Sequence, residues 1–96
     1  MATYIKVLWH HRSASAPTVL YSELDALRFE TRKIEVFADG KISYADRQVA
    51  KGGAVLGEEP IPELNEIAKD SQFAPQRIHS SEFESMWKIA VLHANQ

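Results

Sequence analysis

Apolar and polar residues alternate along the first half of the chain and recur at helical spacing near its end. In residues 3–11, Ile5, Val7 and Trp9 take one face of an extended segment, with Lys6 and His10 on the other, which predicts a first strand. Arg12-Ser-Ala-Ser-Ala-Pro17 interrupts the pattern, and residues 18–24 resume strand composition. Two more strands are predicted over 28–37 and 41–45, joined across Ala38-Asp39-Gly40. A two-residue Asp39-Gly40 loop would pair Phe37 with Ile42 and put the apolar residues of the two strands on opposite faces. A three-residue loop with Gly40 left-handed instead pairs Val36 with Ile42 and Ile34 with Tyr44. That register gives one coherent apolar face and is the one expected.

Residues 46–61 contain Gly52, Gly53, Gly57 and Pro60 and show no period, so they read as a long loop. Pro62 in a first turn, Glu63 and Glu66 near the positive end of the dipole, and Leu64 with Ile67 inward predict a short helix over 62–70. Phe73 anchors the connection that follows, and Pro75 blocks continuation of the helix. The last helix is predicted over 81–93. Ser80 or Ser81 caps it, Ser81 and Glu84 have capping-box spacing, and Phe83, Met86, Trp87, Ala90 and Val91 form one stripe. Strands followed by helices give an α+β fold: a four-stranded antiparallel sheet with both helices packed on one face, residues 1–96 forming a single domain.

Composition narrows the function classes. With 96 residues and 45% of them hydrophobic, the chain can bury one core. The absence of cysteine fits a reducing compartment, so a cytoplasmic location is expected. The N-terminal residues lack the pattern of a signal peptide, and no run approaches the ~20 apolar residues of a membrane span. A net charge of −2 without basic clusters argues against nucleic-acid binding. His10 and His11 point to opposite faces of a strand, and His79 and His93 stand apart, so no metal is expected. Residues 52–59 are glycine-rich but lack the lysine and Ser/Thr of a phosphate loop and carry Glu58 and Glu59 instead. No cofactor is implied.

Carboxylates are numerous, but Arg28, Arg32 and Lys33 are interleaved with them, and cross-strand ion pairs account for that alternation. No nucleophile stands out with a base, so no catalytic residue is assigned. The third strand carries a different signal. Glu30 and Arg32 share parity with Ile34 and Val36, so one face turns from apolar to charged partway along. Glu23, Glu30 and Arg32 would then border an open surface beside Glu58 and Glu59, a combination suited to a protein partner. A second reading is a small enzyme or ligand binder, with Tyr21, Tyr44 and Glu35 converging in a cleft between sheet and loop. A third is a homodimer through an exposed strand edge.

The segments Leu20-Tyr-Ser-Glu-Leu-Asp25, Arg32-Lys-Ile-Glu-Val-Phe-Ala-Asp-Gly40, Leu56-Gly-Glu-Glu-Pro-Ile-Pro62 and Glu82-Phe-Glu-Ser-Met-Trp87 together resemble a family of small bacterial proteins of unknown function. The resemblance implies a bacterial, stand-alone domain and brings no catalytic residues with it. In type, the chain also resembles immunity proteins of bacterial toxin systems. That likeness implies a non-enzymatic inhibitor whose Glu58, Glu59, Glu23 and Glu30 mimic substrate charge toward a basic toxin domain.

Overall fold

The computed structural model describes residues 1–94. Six strands and two helices follow in the order β1 (Thr3–Trp9), β2 (Val19–Leu24), β3 (Glu30–Val36), β4 (Ile42–Asp46), β5 (Ala50–Lys51), α1 (Leu64–Ile67), β6 (Phe73–Ile78) and α2 (Ser80–Ala94). They form one antiparallel sheet in the order β5-β4-β3-β2-β1-β6. No helix among the described residues is long and apolar enough to cross a membrane.

The α+β class, the four leading strands and the two helices are as expected, but the sheet has six strands rather than four. The extra strands come from segments read as loop. β6 pairs with β1, setting Val7 opposite Pro75 and Trp9 opposite Phe73. In the sequence Pro75 signals only a block to the helix. On an edge strand its missing N–H costs no ladder bond, so the same residue is compatible with a strand there. The two-residue β5 folds back on β4 across Arg47-Gln48-Val49, whose amides at Gln48 and Val49 donate to Asp46 Oδ1, and the chain then turns away through Gly52 and Gly53, both at positive φ. A Cβ on Gly52 would lie 2.8 Å from that of Ser43, so this turn requires glycine.

The β3–β4 hairpin has the three-residue loop. Val36 faces Ile42, Ile34 faces Tyr44, Phe37 and Lys41 close the loop, and Gly40 has φ +89°. Ile34, Val36, Ile42 and Tyr44 pack under Phe83, Met86, Trp87, Ala90 and Val91 of α2, so the predicted stripe covers this front face. Burial of Phe83, which is fully enclosed, stabilises the pairing by about 2–3 kcal/mol.

The helices do not share a face. Ile5, Val7 and Leu24 point to the back, where Leu20, Ile61, Leu64, Ile67 and Phe73 pack against them. Ile5 and Val7 of β1 and Leu20 and Leu24 of β2 make the back apolar as well, so the back also needs a cover. α1 and the loop before it supply one, and α1 is shorter than the predicted 62–70. α2 begins at Ser80, one residue early, with the His79 carbonyl taking the first helical bonds. Glu84 is turned to the sheet instead of closing a capping box.

That turn of Glu84 completes a clamp on the front face. Arg32 donates through Nε and Nη2 to the two carboxylate oxygens of Glu23 at 2.9 and 2.6 Å, and through Nη1 and Nη2 to Glu84 at 3.0 and 2.6 Å. Its guanidinium carbon lies 4.9 Å from the Phe83 ring centroid and 5.0 Å from that of Trp87. Hydrogen bonds from Arg32 hold both carboxyls below their usual range, and the two carboxylates, Glu23 first, raise Arg32. The Tyr4 phenol is raised by burial and then by its bond to Glu23.

In the unfolded chain both carboxyls protonate near 4.5, the ordinary value. The clamp therefore contributes fully above that pH. Its contribution falls as pH drops below it and is gone once pH has passed the depressed folded-state values. Arg32→Ala leaves Glu23 half-buried without a countercharge, held only by the Thr31 and Tyr4 hydroxyls. It is expected to lower stability by about 2 kcal/mol at pH 7, about 10 °C in the unfolding midpoint, and to flatten the acid limb below about pH 5. Thermal unfolding across pH measures both effects, and an unchanged midpoint with an unchanged acid limb would contradict the clamp.

Candidate functional site

The back face holds a groove of about 370 Å³ between the sheet and the loop that leads into α1. Ile5, Val7, Leu20 and Phe73 of the sheet form its floor, and Ile61, Pro62 and Ile67 form the opposing wall. Ser22, Glu30 and Lys33 close one end. A larger hollow of about 480 Å³ opens at the sheet end beside Glu23, Thr31, Arg47 and Gln48, but it is shallow, and Glu23 is already held there by Arg32 and Thr31. The groove has the concave apolar body and the few convergent polar groups expected of a binding site.

Glu30 reaches the back through an irregularity in the sheet. Leu24 pairs with Glu30 while Glu23 pairs with Arg32, so Thr31 is an extra residue on β3. Such a bulge resets the alternation of side chains. Glu30 therefore lies on the opposite face from Arg32, Ile34 and Val36, which corrects the shared-face expectation. Only 5% of its side chain is exposed. Ser22 Oγ donates to its Oε2 at 2.8 Å, the Gly57 amide donates to its Oε1 at 2.8 Å, and Lys33 Nζ stands 3.5 Å from Oε1. Lys33 also donates to the Val55 carbonyl at 3.0 Å and lies 3.8 Å from Glu35.

A second fastening holds the other half of the loop. Asp25 accepts the Leu27 and Phe29 amides through Oδ1, and this tight turn puts Arg28 at φ 70°. That conformation is costly for a residue with a Cβ, by about 1 kcal/mol. Arg28 Nε and Nη2 donate to the carbonyls of Ile61 and Pro62 at 2.8 and 2.7 Å, while its own carbonyl accepts the Ile61 amide at 2.8 Å. Arg28, read from the sequence only as a strand charge, thus positions the groove wall. A polar residue after the Asp25 turn was the available signal, but its left-handed backbone was not visible.

The five residues expected at a partner surface do not form one patch. Glu23 and Arg32 are on the front, engaged by α2. Glu30 is inside the back groove. Glu58 and Glu59 are exposed in the loop just after Gly57, near the Glu30 end. Of the alternative cleft residues, Tyr21 and Tyr44 pack on the front core, whereas Glu35 is on the back and accepts from Ser43 Oγ at 2.9 Å. The cleft between sheet and loop exists, but its carboxylate is Glu30 and no tyrosine lines it. Among the described residues no three His, Asp or Glu groups converge as a metal site.

A family model described as Domain of unknown function (DUF6881) matches residues 3–92, spanning both faces of the sheet. No curated protein and no solved structure matches the chain.

Glu30→Ala would remove the acceptor for Gly57. Its amide is expected to exchange about tenfold faster or more, relative to the Ile34 amide in the same sample, with a smaller effect at Ile61, which Arg28 holds. Hydrogen exchange read by NMR checks this. Equal acceleration at all three amides would mean that Glu30 does not fasten the loop.

Proposed function

The chain belongs to the family of domains of unknown function DUF6881, and from that premise we propose that it is a non-enzymatic protein-binding module that receives a basic partner on the back of its sheet. The observation that carries this reading is the charge balance around the groove. Glu58 and Glu59 are exposed beside it, and Glu63 and Glu66 follow on the same loop and α1. Three of the cations nearby are committed, while Arg77, opposite Ile5 on β6, is exposed. Lys33 is tied to Glu30, Glu35 and the Val55 carbonyl; Arg28 to loop carbonyls and, at 3.5 Å, to Glu63; and Lys69 to Glu66 at 2.9 Å. An excess of negative charge bordering an apolar groove steers a basic surface and gives it somewhere to anchor.

A bacterial immunity-type inhibitor, covering the basic active site of a toxin, is a relationship that suits this chemistry. Substrate-like charge comes from Glu58 and Glu59, with Glu30 behind them. Glu23 and Arg32 contribute by fixing α2 to the sheet. The second reading, a binder of a small ligand, rests on the same groove.

The test is the association rate with a partner recovered by crosslinking from the native cell. Raising salt from about 50 to 500 mM is expected to slow association at least about tenfold, and Glu58→Lys with Glu59→Lys to slow it similarly at low salt. Association that is insensitive to salt and to both reversals would refute the proposal.

A further inference from the structure

We propose that the groove is an anchor pocket for a long cationic side chain, an arginine or lysine of the partner, whose apolar stem lies along Ile5, Val7 and Leu20 and whose tip donates to Glu30. This inference rests on the protein-partner reading above and adds the chemistry of its central contact. It comes from a count of donors and acceptors at the closed end of the groove.

Ser22 has one hydroxyl proton, which goes to Glu30 Oε2. The Gly57 amide has one, which goes to Glu30 Oε1. Lys33 has three N–H groups and three oxygens around it: Val55 O at 3.0 Å, Glu30 Oε1 at 3.5 Å and Glu35 Oε2 at 3.8 Å. No donor there is left for an incoming group. Acceptors remain, because each carboxylate oxygen takes two hydrogen bonds and Oε2 of Glu30 receives only that of Ser22. The charges agree with the count: two carboxylates face one ammonium, and Glu58 and Glu59 lie outside. A carboxylate or phosphate entering the groove would meet acceptors and net negative charge. An apolar chain ending in ammonium or guanidinium meets an apolar floor and an open acceptor.

The test uses free probes on the full chain. n-Hexylammonium, n-butylguanidinium, hexanol and hexanoate are titrated while the amide signals of Leu20, Ser22 and Gly57 are followed by NMR. The two cations are expected to shift these three signals in a saturable way, with hexanol and hexanoate at least about tenfold weaker. Glu30→Gln is expected to erase the preference for cations while leaving hexanol binding within about twofold. The comparison among probes on the unaltered chain needs no variant, so it stands even if Glu30→Gln perturbs folding. Hexanoate binding as tightly as hexylammonium, or no saturable shift with either cation, would overturn the inference. Failure of the two readings is separable. Partner binding that depends on Glu58 and Glu59 but is unchanged by Glu30→Gln would sink the anchor alone. Saturable, Glu30-dependent cation binding, combined with partner association insensitive to salt and charge reversal, would sink the partner reading instead.

Discussion

The extra residue at Thr31 is the constraint on which both faces of the sheet depend. With a regular ladder, Glu30 and Arg32 would project to the same side and place a carboxylate next to the front core. The bulge opposite Glu23 resets the alternation, so Glu30 turns to the back beside Ser22 while Arg32 stays in front between Glu23 and α2. Each charge then meets a prepared partner. A half-buried guanidinium is tolerable because two carboxylates and two ring faces surround it, and a nearly enclosed carboxylate because a hydroxyl, an amide and an ammonium do.

The two covers differ in construction, and that difference separates a packed face from a binding face. α2 lays a continuous apolar stripe on the front and adds the Arg32 clamp. The back has a loop and a single helical turn, held at separate points: the Gly57 amide on Glu30, the Val55 carbonyl on Lys33, and the Ile61 and Pro62 carbonyls on Arg28. A cover tied at its polar ends, with no helix long enough to fill the span, leaves the space that becomes the groove. The groove and its acidic border thus follow from how the back of the sheet is closed.

Much of the front was legible in the sequence because local rules dominate there. The Ala38-Asp39-Gly40 loop followed from requiring one apolar face, and the α2 stripe from helical periodicity. The back was not legible for three reasons. Pro75 argues against strand in isolation and becomes acceptable only once an edge position beside β1 is known. Leu20 and Leu24 alternate with Tyr21, a sign that β2 is covered on both sides, but which segment covers it depends on tertiary contacts. A bulge such as Thr31 leaves no mark in composition, so nothing local places Glu30 on the face opposite Arg32. The positive φ of Arg28 was equally hidden: the Asp25 turn imposes it locally, but the hydrogen bonds that offset its cost go to carbonyls more than thirty residues away.

The division of charges across the sheet is tested most directly by nuclear Overhauser contacts from the Glu30 and Arg32 side chains in one sample. The expected result is contact from the Glu30 γ-protons to the Gly57 amide and from the Arg32 side chain to the ring protons of Phe83 and Trp87. Contacts from Glu30 to those rings, with none to Gly57, would show a regular β3 and contradict both the clamp and the groove as described.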